Sequence, residues 1–289
     1  MIVVAGDLLR RLDIESSEGP GYGAASSARI GAVLDGQAIR TAAWLSHAQR
    51  SVRLFAKVGA ADLSALESEL TAREIEPSLA VAAAMPTASL AAVTESTHTT
   101  QRYLDLGAAA SLDAEDASEG VLAGARWLHL SGHLFYRENS RAAASALIAL
   151  AKEMGIGISV DPGSAHLLRA ASASAFIDWT SGVDLVLANL DETRVLVGAT
   201  GPFIDFEALG AVYPHAVVKL ASMGAAYVSA SRREQVAASR VEVKDRMGVG
   251  DAFVAGFLAS WVEARDPLAA LNQGNATAQK CLHLTGALP

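Results

Sequence analysis

An α/β fold, with a mostly parallel central sheet covered by helices on both faces and a small β-rich lid, is what this sequence predicts, and three observations predict it. Short apolar runs at Trp127–Leu130, Ile156–Val160, Leu185–Leu187 and Ala216–Leu220 alternate with helical patterns at Ser140–Met154, Leu167–Ala175 and Phe206–Val212. Such alternation implies parallel strands joined by crossover helices. The same rhythm opens the chain: a compact β-branched run at Ile2–Ala5, a helix over Gln37–His47 and an alternating strand at Val52–Val58. Two further segments, near 14–34 and 89–106, stand outside the alternation and supply the lid.

The first strand is read as buried because its apolar run ends abruptly in Gly6-Asp7. From Ile14 to Leu34 the chain turns to Glu, Ser, Gly and Pro with scattered apolar residues, which suits short strands and turns projecting from a sheet. Leu63–Arg73 reads as a helix, and Ser89–Leu106 as a hairpin about a Thr97-His98-Thr99-Thr100 turn. Tyr227–Ser229 and Val236–Val243 read as an antiparallel addition to the main sheet. A buried helix follows, marked by Phe253, Val254, Phe257, Leu258 and Trp261. With no internal repeat or low-complexity linker, residues 1–289 read as one domain carrying the two lid segments.

Composition bounds the function classes. Of 289 residues, 51% are hydrophobic and 19% charged, ample for a large core. A balance of 23 basic to 31 acidic residues, net −8, argues against a nucleic-acid or anionic-membrane surface, so an anionic ligand must be held locally. A single cysteine, Cys281, excludes an intramolecular disulfide and a cysteine metal cluster, and fits a reducing compartment. The start Met1-Ile-Val-Val-Ala-Gly-Asp is too short for a signal peptide, and Leu79–Val93, broken by Pro86, falls short of the roughly 20 residues of a membrane span. A cytoplasmic location without membrane spans is the expectation.

The chemistry concentrates at Asp245–Phe257, a glycine-rich strand-to-helix turn. A helix starting near Gly250 has free N–H groups and a positive dipole end, so Gly248, Val249 and Gly250 can offer donors to an anion. Asp251 stands beside that anion, and accepting a proton from a hydroxyl that attacks a phosphoryl group gives it a task. The plainer alternative is that Asp251 caps the helix. Asn189 could likewise cap a helix, Lys219 could be a solvated strand end, and Asp161-Pro162-Gly163 suits a turn. His129 reads as core and His133 as a wall of a pocket.

Gly248-Val-Gly-Asp-Ala-Phe-Val-Ala-Gly-Phe257 resembles the C-terminal signature of the ribokinase-like (pfkB-type) carbohydrate kinases, and further segments match that family's motifs in order over nearly the full length. The resemblance implies a three-layer α/β/α ribokinase-like fold, Asp251 as catalytic base and Gly248–Gly250 as anion hole, with Arg246 and Val249 departing from the pattern. It implies ATP and Mg2+ as cofactors, with a monovalent cation as a further candidate. Leu187-Ala-Asn-Leu-Asp-Glu192 looks like the family's Asn-x-x-Glu segment, which makes Asn189 and Glu192 the magnesium and phosphate residues, with Asp161 a candidate outer partner. Val218–Gly224 looks like its nucleotide-binding turn, which marks Lys219, Ser222 and Gly224, with Ala221 in place of a glycine. Asn275 and Ala278 fall on the last helix, where the family packs the adenine.

The sugar-binding half departs most. In register with Gly6-Asp7, Arg11 stands where a second aspartate belongs, and Asp13 comes two residues late. In the glycine motif, Asp35-Gly36 replaces Gly-Gly and Arg40 replaces the asparagine. Asp7, Arg11, Asp13, Asp35, Gly36, Arg40 and His133 are therefore the candidate substrate residues. Either the two arginines are solvated or paired with neighbours such as Asp7, Asp13 or Asp35, or they face the pocket and favour a sugar-like substrate bearing a carboxylate or phosphate.

The reading is an ATP-dependent kinase acting on a hydroxyl of a sugar-like small molecule, without nucleic-acid or membrane partners. Exposed strand edges of the lid would offer a homodimer surface. The rival is a non-catalytic ligand-binding or regulatory protein on a kinase scaffold. A dinucleotide-dependent oxidoreductase is disfavoured, because Gly6 opens no Gly-x-Gly-x-x-Gly turn.

Overall fold

In the computed structural model, residues 1–16, 25–94, 100–201 and 205–289 are described. Strand β1 (Ile2–Ala5) is an interior strand of a large sheet, and β2 (Leu9–Glu15) and β3 (Arg29–Asp35) leave it as an antiparallel pair. Helix α1 (Gln37–His47) leads back to β4 (Val52–Gly59), and α2 (Leu63–Thr71) leads to β5 (Ile75–Ala82). Next come β6 (Ser89–Thr94), β7 (Thr100–Asp105), a short α3 (Glu119–Leu122), β8 (Trp127–Ser131) and α4 (Glu138–Glu153). The chain continues through β9 (Gly157–Asp161), α5 (Ala165–Ala171), α6 (Ala173–Trp179), β10 (Leu185–Asn189), α7 (Leu190–Leu196) and α8 (Phe206–Val212). It ends with β11 (His215–Lys219), β12 (Ala225–Val228), β13 (Arg233–Val236), α9 (Val249–Ala264) and α10 (Pro267–Leu282).

Nine strands form the main sheet in the order β13-β12-β11-β10-β9-β8-β1-β4-β5. All neighbours from β5 to β11 run parallel, and β12 and β13 add antiparallel. Period-two alternation builds two cores. Ile2 and Val4 face one side with α1, α9 and α10, whereas Val3 and Ala5 face the other with α4. Helix α9 is apolar on every side because α1, α10 and the sheet enclose it, and Phe257 stacks between Phe253 and Trp261 at centroid distances of 6.3 and 5.7 Å. Trp44 Nε1 donates to the Ala287 carbonyl at 3.0 Å, tying α1 to the C-terminal segment beside the turn that opens α9.

The segments around 14–34 and 89–106 meet in a second, four-stranded sheet, β3-β2-β6-β7, in which β2 and β6 pair parallel. Its first strand begins at Leu9, five residues before the expected start. The Thr97-His98-Thr99 turn lies outside the described residues, as does Gly19–Gly23.

Two expectations need correction. Val236–Val243 is not a strand: pairing ends at Val236, and the alternating residues beyond it run over the surface towards α9 without a neighbouring strand. Leu167–Ala175 is two helices, because Ser172 takes a left-handed φ of 76° and its hydroxyl accepts from Ala175 N to start α6. Strand β5 is an addition to that reading; it carries Pro77 and lies at the sheet edge, where proline is tolerated. No helix among the described residues is long and apolar enough to cross a membrane, and Cys281 is a buried free thiol.

Candidate active site

Parallel strands with covering helices leave a crevice beyond their carboxyl ends, and there the chemistry gathers. Asp161 ends β9, Asn189 ends β10 and Lys219 ends β11, so the alternation that builds the sheet also delivers these side chains together. Across from them stand the first turns of α9 and α1. A cavity of about 200 Å³ joins the two sides: Asp161, Gly163, Asn189, Glu192 and Lys219 on one, Gln37, Arg40, His133, Gly250 and Asp251 on the other. A larger cavity, about 430 Å³, lies at the opposite strand ends, lined in part by Lys152, Asp184, His215 and Arg265. Its polar groups serve the fold: Asp184 accepts from Ile158 N at 2.7 Å, and Arg265 lies over Trp127 at 4.3 Å.

Gly248 explains the glycine turn. It caps α9 with φ 74°, and a Cβ there would stand 2.7 Å from that of Ala287. Val249 already belongs to the helix, so its β-branch is not forced to a positive φ. Arg246 is exposed. No side chain caps α9, which leaves its first N–H groups open to a ligand. Asp251, buried at 7% exposure, therefore does not cap the helix. Burial holds its carboxyl above the usual carboxylate range, reinforced by Asp161 and opposed by Arg40 and Lys219.

Asn189 and Glu192 cap α7 reciprocally, with Glu192 N donating to Asn189 Oδ1 at 2.9 Å and Asn189 N to Glu192 Oε2 at 2.8 Å. The capping alternative for Asn189 is thus true, and it fixes both side chains at the cavity. Burial, then the charge of Asp161, pushes Glu192 up to about 7, against Lys219 and the Asn189 N–H. Oxygen donors of this kind fit Mg2+. Among the described residues no three His, Cys, Asp or Glu converge as a metal cluster, so such an ion would complete its shell with water and phosphate oxygens. Lys219 is not a solvated strand end: it is paired with Asp161, whose other oxygen accepts from Gly163 N at 3.0 Å.

Ser222, Gly224 and Asn275 gather around the β11–β12 turn, outside the cavity lined by Asp251. A Cβ on Gly224 would meet Val236 O, to which Asn275 Nδ2 donates at 3.4 Å; Ala278 packs against the core. Ala221 carries the cost of replacing a glycine, with a left-handed φ of 53°. Left-handed backbone costs a non-glycine residue about 1–2 kcal/mol, and glycine's extra chain entropy returns part of that. Ala221→Gly is expected to raise stability by about 0.5–1 kcal/mol in urea unfolding, and an unchanged or lower midpoint refutes the strain.

Among the candidate substrate residues, Asp7 accepts from Gln37 N at 3.0 Å and from Ser131 Oγ at 2.9 Å, with His133 Nδ1 at 3.4 Å. Burial works against ionisation of Asp7, but His133 and then Arg40 hold its carboxyl far below the usual range. His133, although burial disfavours its charge, is raised by Asp7. Gly36 packs its Cα against the Asp7 carbonyl and donates its N–H to Asp35. Both arginines are paired. Arg11 holds Asp13 at 2.9 Å and Asp35 at 3.2 Å; Arg40 holds Asp35 and Asp251. Gln37 and Ser131 escaped the sequence reading. Gln37 follows the glycine motif directly, and Ser131 ends a strand two residues before His133; both signals were present but unused. His129 is core, neutral and pushed down to about 4 by burial, with Asp161 opposing and Lys219 adding, and its Nδ1 lies 2.9 Å from Ser159 Oγ.

Comparison with known proteins gives the same direction. A curated fructokinase of Escherichia coli is 33% identical over 142 residues, 46% of this chain and 45% of that protein, so the match spans less than half of each. Among solved structures, adenosine kinase from Sinorhizobium meliloti superposes with a TM-score of 0.85 at 21% identity, covering 100% of this chain and 95% of that one. An E. coli structure described as Ribokinase II in complex with ATP and Mg2+ gives 0.84 at 20% identity, covering 99% and 94%. Identities this low establish the ribokinase-like fold alone. The sequence profile of the pfkB family carbohydrate kinases matches residues 1–288, and the chain belongs to that family.

Proposed function

We propose that this protein is an ATP-dependent kinase that phosphorylates a hydroxyl of a sugar or sugar-like molecule, with Asp251 as general base. The observation that carries the reading is a buried carboxylate on the first turn of a helix whose N-terminus no side chain caps, facing Lys219 across one cavity. Asp251 takes the hydroxyl proton, the freed oxygen forms its bond to the γ-phosphorus, and the bond from that phosphorus to the ADP oxygen breaks. Charge growing on the transferring group meets the N–H groups of Val249 and Gly250 and the α9 dipole. Asn189 and Glu192 would hold Mg2+ through water; when bound, it neutralises phosphate charge. The ATP and Mg2+ in the E. coli neighbour support both cofactors here. A monovalent cation rests on the family resemblance alone.

Pairing of both arginines with carboxylates withdraws the case for an acidic substrate. Three carboxylates, Asp13, Asp35 and Asp251, surround two guanidinium groups, so little positive charge is left to attract an anion. A neutral polyol suits hydroxyl-binding groups such as Asp7, Gln37 and His133. The fructokinase relative makes fructose the first sugar to try. In ATP-turnover assays with Mg2+, neutral hexoses and pentoses are expected to outperform their uronic and aldonic acid counterparts by at least tenfold in kcat/KM. Preference for the acids would reverse the substrate assignment, and sugar binding without ATP turnover would favour the non-catalytic rival.

The four-stranded sheet serves in this reading as a lid that excludes water from the transferring phosphate. Ile30 and Tyr103 stand exposed on one of its faces, a surface suited to a second copy of the chain.

A further inference from the structure

The charged side chains between the lid and Asp251 form one continuous series: Asp13, Arg11, Asp35, Arg40, Asp251. Arg11 leaves β2 and reaches both Asp13 and Asp35, with its guanidinium also against Met247 Sδ. Asp35 closes β3 and divides its two oxygens, Oδ2 to Arg11 and Oδ1 to Arg40. Arg40, one turn into α1, spans the gap: Nη1 meets Asp35 Oδ1 and Nε meets Asp251 Oδ2. Arg11, Asp35 and Asp251 are all below 8% exposed, so solvent screens the inner part of the series little, whereas Asp13 is its solvated end.

A base works only if one oxygen points at the proton it takes. With Oδ2 engaged by Arg40, the carboxylate of Asp251 is held in one orientation and Oδ1 is left for the substrate hydroxyl. We propose that Arg40 is a positioning residue, which orients Asp251 and sets a cation against it, and is itself anchored through Asp35 and Arg11 to the lid strands. The inference rests on Asp251 being the base. Lysine cannot replace arginine in this role, because one ammonium on a flexible stem does not span two carboxylates in a fixed fork.

Charge and geometry can be separated by two variants. The groups that act on Asp251 are Arg40 from α1, Asp161 from β9, Lys219 from β11, His133 from the turn after β8 and Cys281 from α10, and all but Arg40 stay in place. A neighbouring cation favours the ionised carboxylate and lowers its pKa. Arg40→Asn removes that cation, so the acid limb of the kcat/KM profile is expected to move up by about one pH unit or more, with a fall of about tenfold or more at neutral pH. Arg40→Lys keeps the charge but not the fork. Its limb should stay near the wild-type position while kcat falls about tenfold.

An acid limb in Arg40→Asn that coincides with wild type overturns the proposal, as does a wild-type kcat in Arg40→Lys. If Arg40→Asn does not fold, Arg40→Lys decides alone. Asp251→Asn separates the two levels. Full activity there sinks the base assignment, whereas an inactive Asp251→Asn beside an unshifted Arg40→Asn sinks the role of Arg40 only.

Discussion

Asp251→Asn is expected to lower kcat by about 10²–10⁴-fold while ATP affinity changes little. The amide is nearly the size of the carboxyl, so the turn at Gly248 and the packing of α9 stay as they are. What is lost is the capacity to take a proton. Burial raises the carboxyl above its usual range, and a base with a raised pKa accepts a proton more readily, while Arg40 and Lys219 work in the opposite direction and favour its ionised form. Steady-state turnover with Mg2+ and ATP, beside ATP binding by calorimetry, checks both halves. A rate within a few-fold of wild type would remove Asp251 from the chemistry.

Elements governed by local rules were legible in the sequence. The helix Gln37–His47 has the predicted bounds, because its apolar spacing and the preceding Gly36 act within a few residues of each other. The turn at Gly248 was legible too, since a left-handed backbone restricts residue type strongly. Alternation alone misled at 237–243, where no strand lies alongside to pair with it.

Candidate side chains were legible at three strand ends, Asp161, Asn189 and Lys219, but not at a fourth, Ser131, and no pairing was legible where the partner arrives from elsewhere. Arg40 and Asp251 lie 211 residues apart, and nothing near either one names the other. Both the pairing and the pocket-facing readings of Arg40 were open because the two differ only in tertiary placement. The structure combines them: Arg40 lines the cavity and is paired within it.

Lys219→Met should show what the other buried pair is for. Lys219 and Asp161 are in direct contact, and Asp161 is only 2% exposed, with Gly163 N on its second oxygen. Removing the ammonium strands a buried carboxylate, which costs about 3–5 kcal/mol when one partner of such a pair is deleted. Although burial opposes it, Asp161 and then Glu192 hold the Lys219 ammonium above its usual 10.5. Its contribution is therefore fully present at neutral pH and is lost only as pH climbs past that value. Urea unfolding of Lys219→Met at pH 7 is expected to show the loss, and a change under about 1 kcal/mol would contradict the pairing. The double variant Lys219→Met, Asp161→Asn removes the stranded charge and should recover much of the stability. Stability and nucleotide binding then part company: a neutral pair can be stable, but it offers no cation to the phosphates of ATP. KM for ATP in the double variant should stay raised by at least tenfold. A return to the wild-type KM together with stability would make Lys219 a structural partner of Asp161 and nothing more.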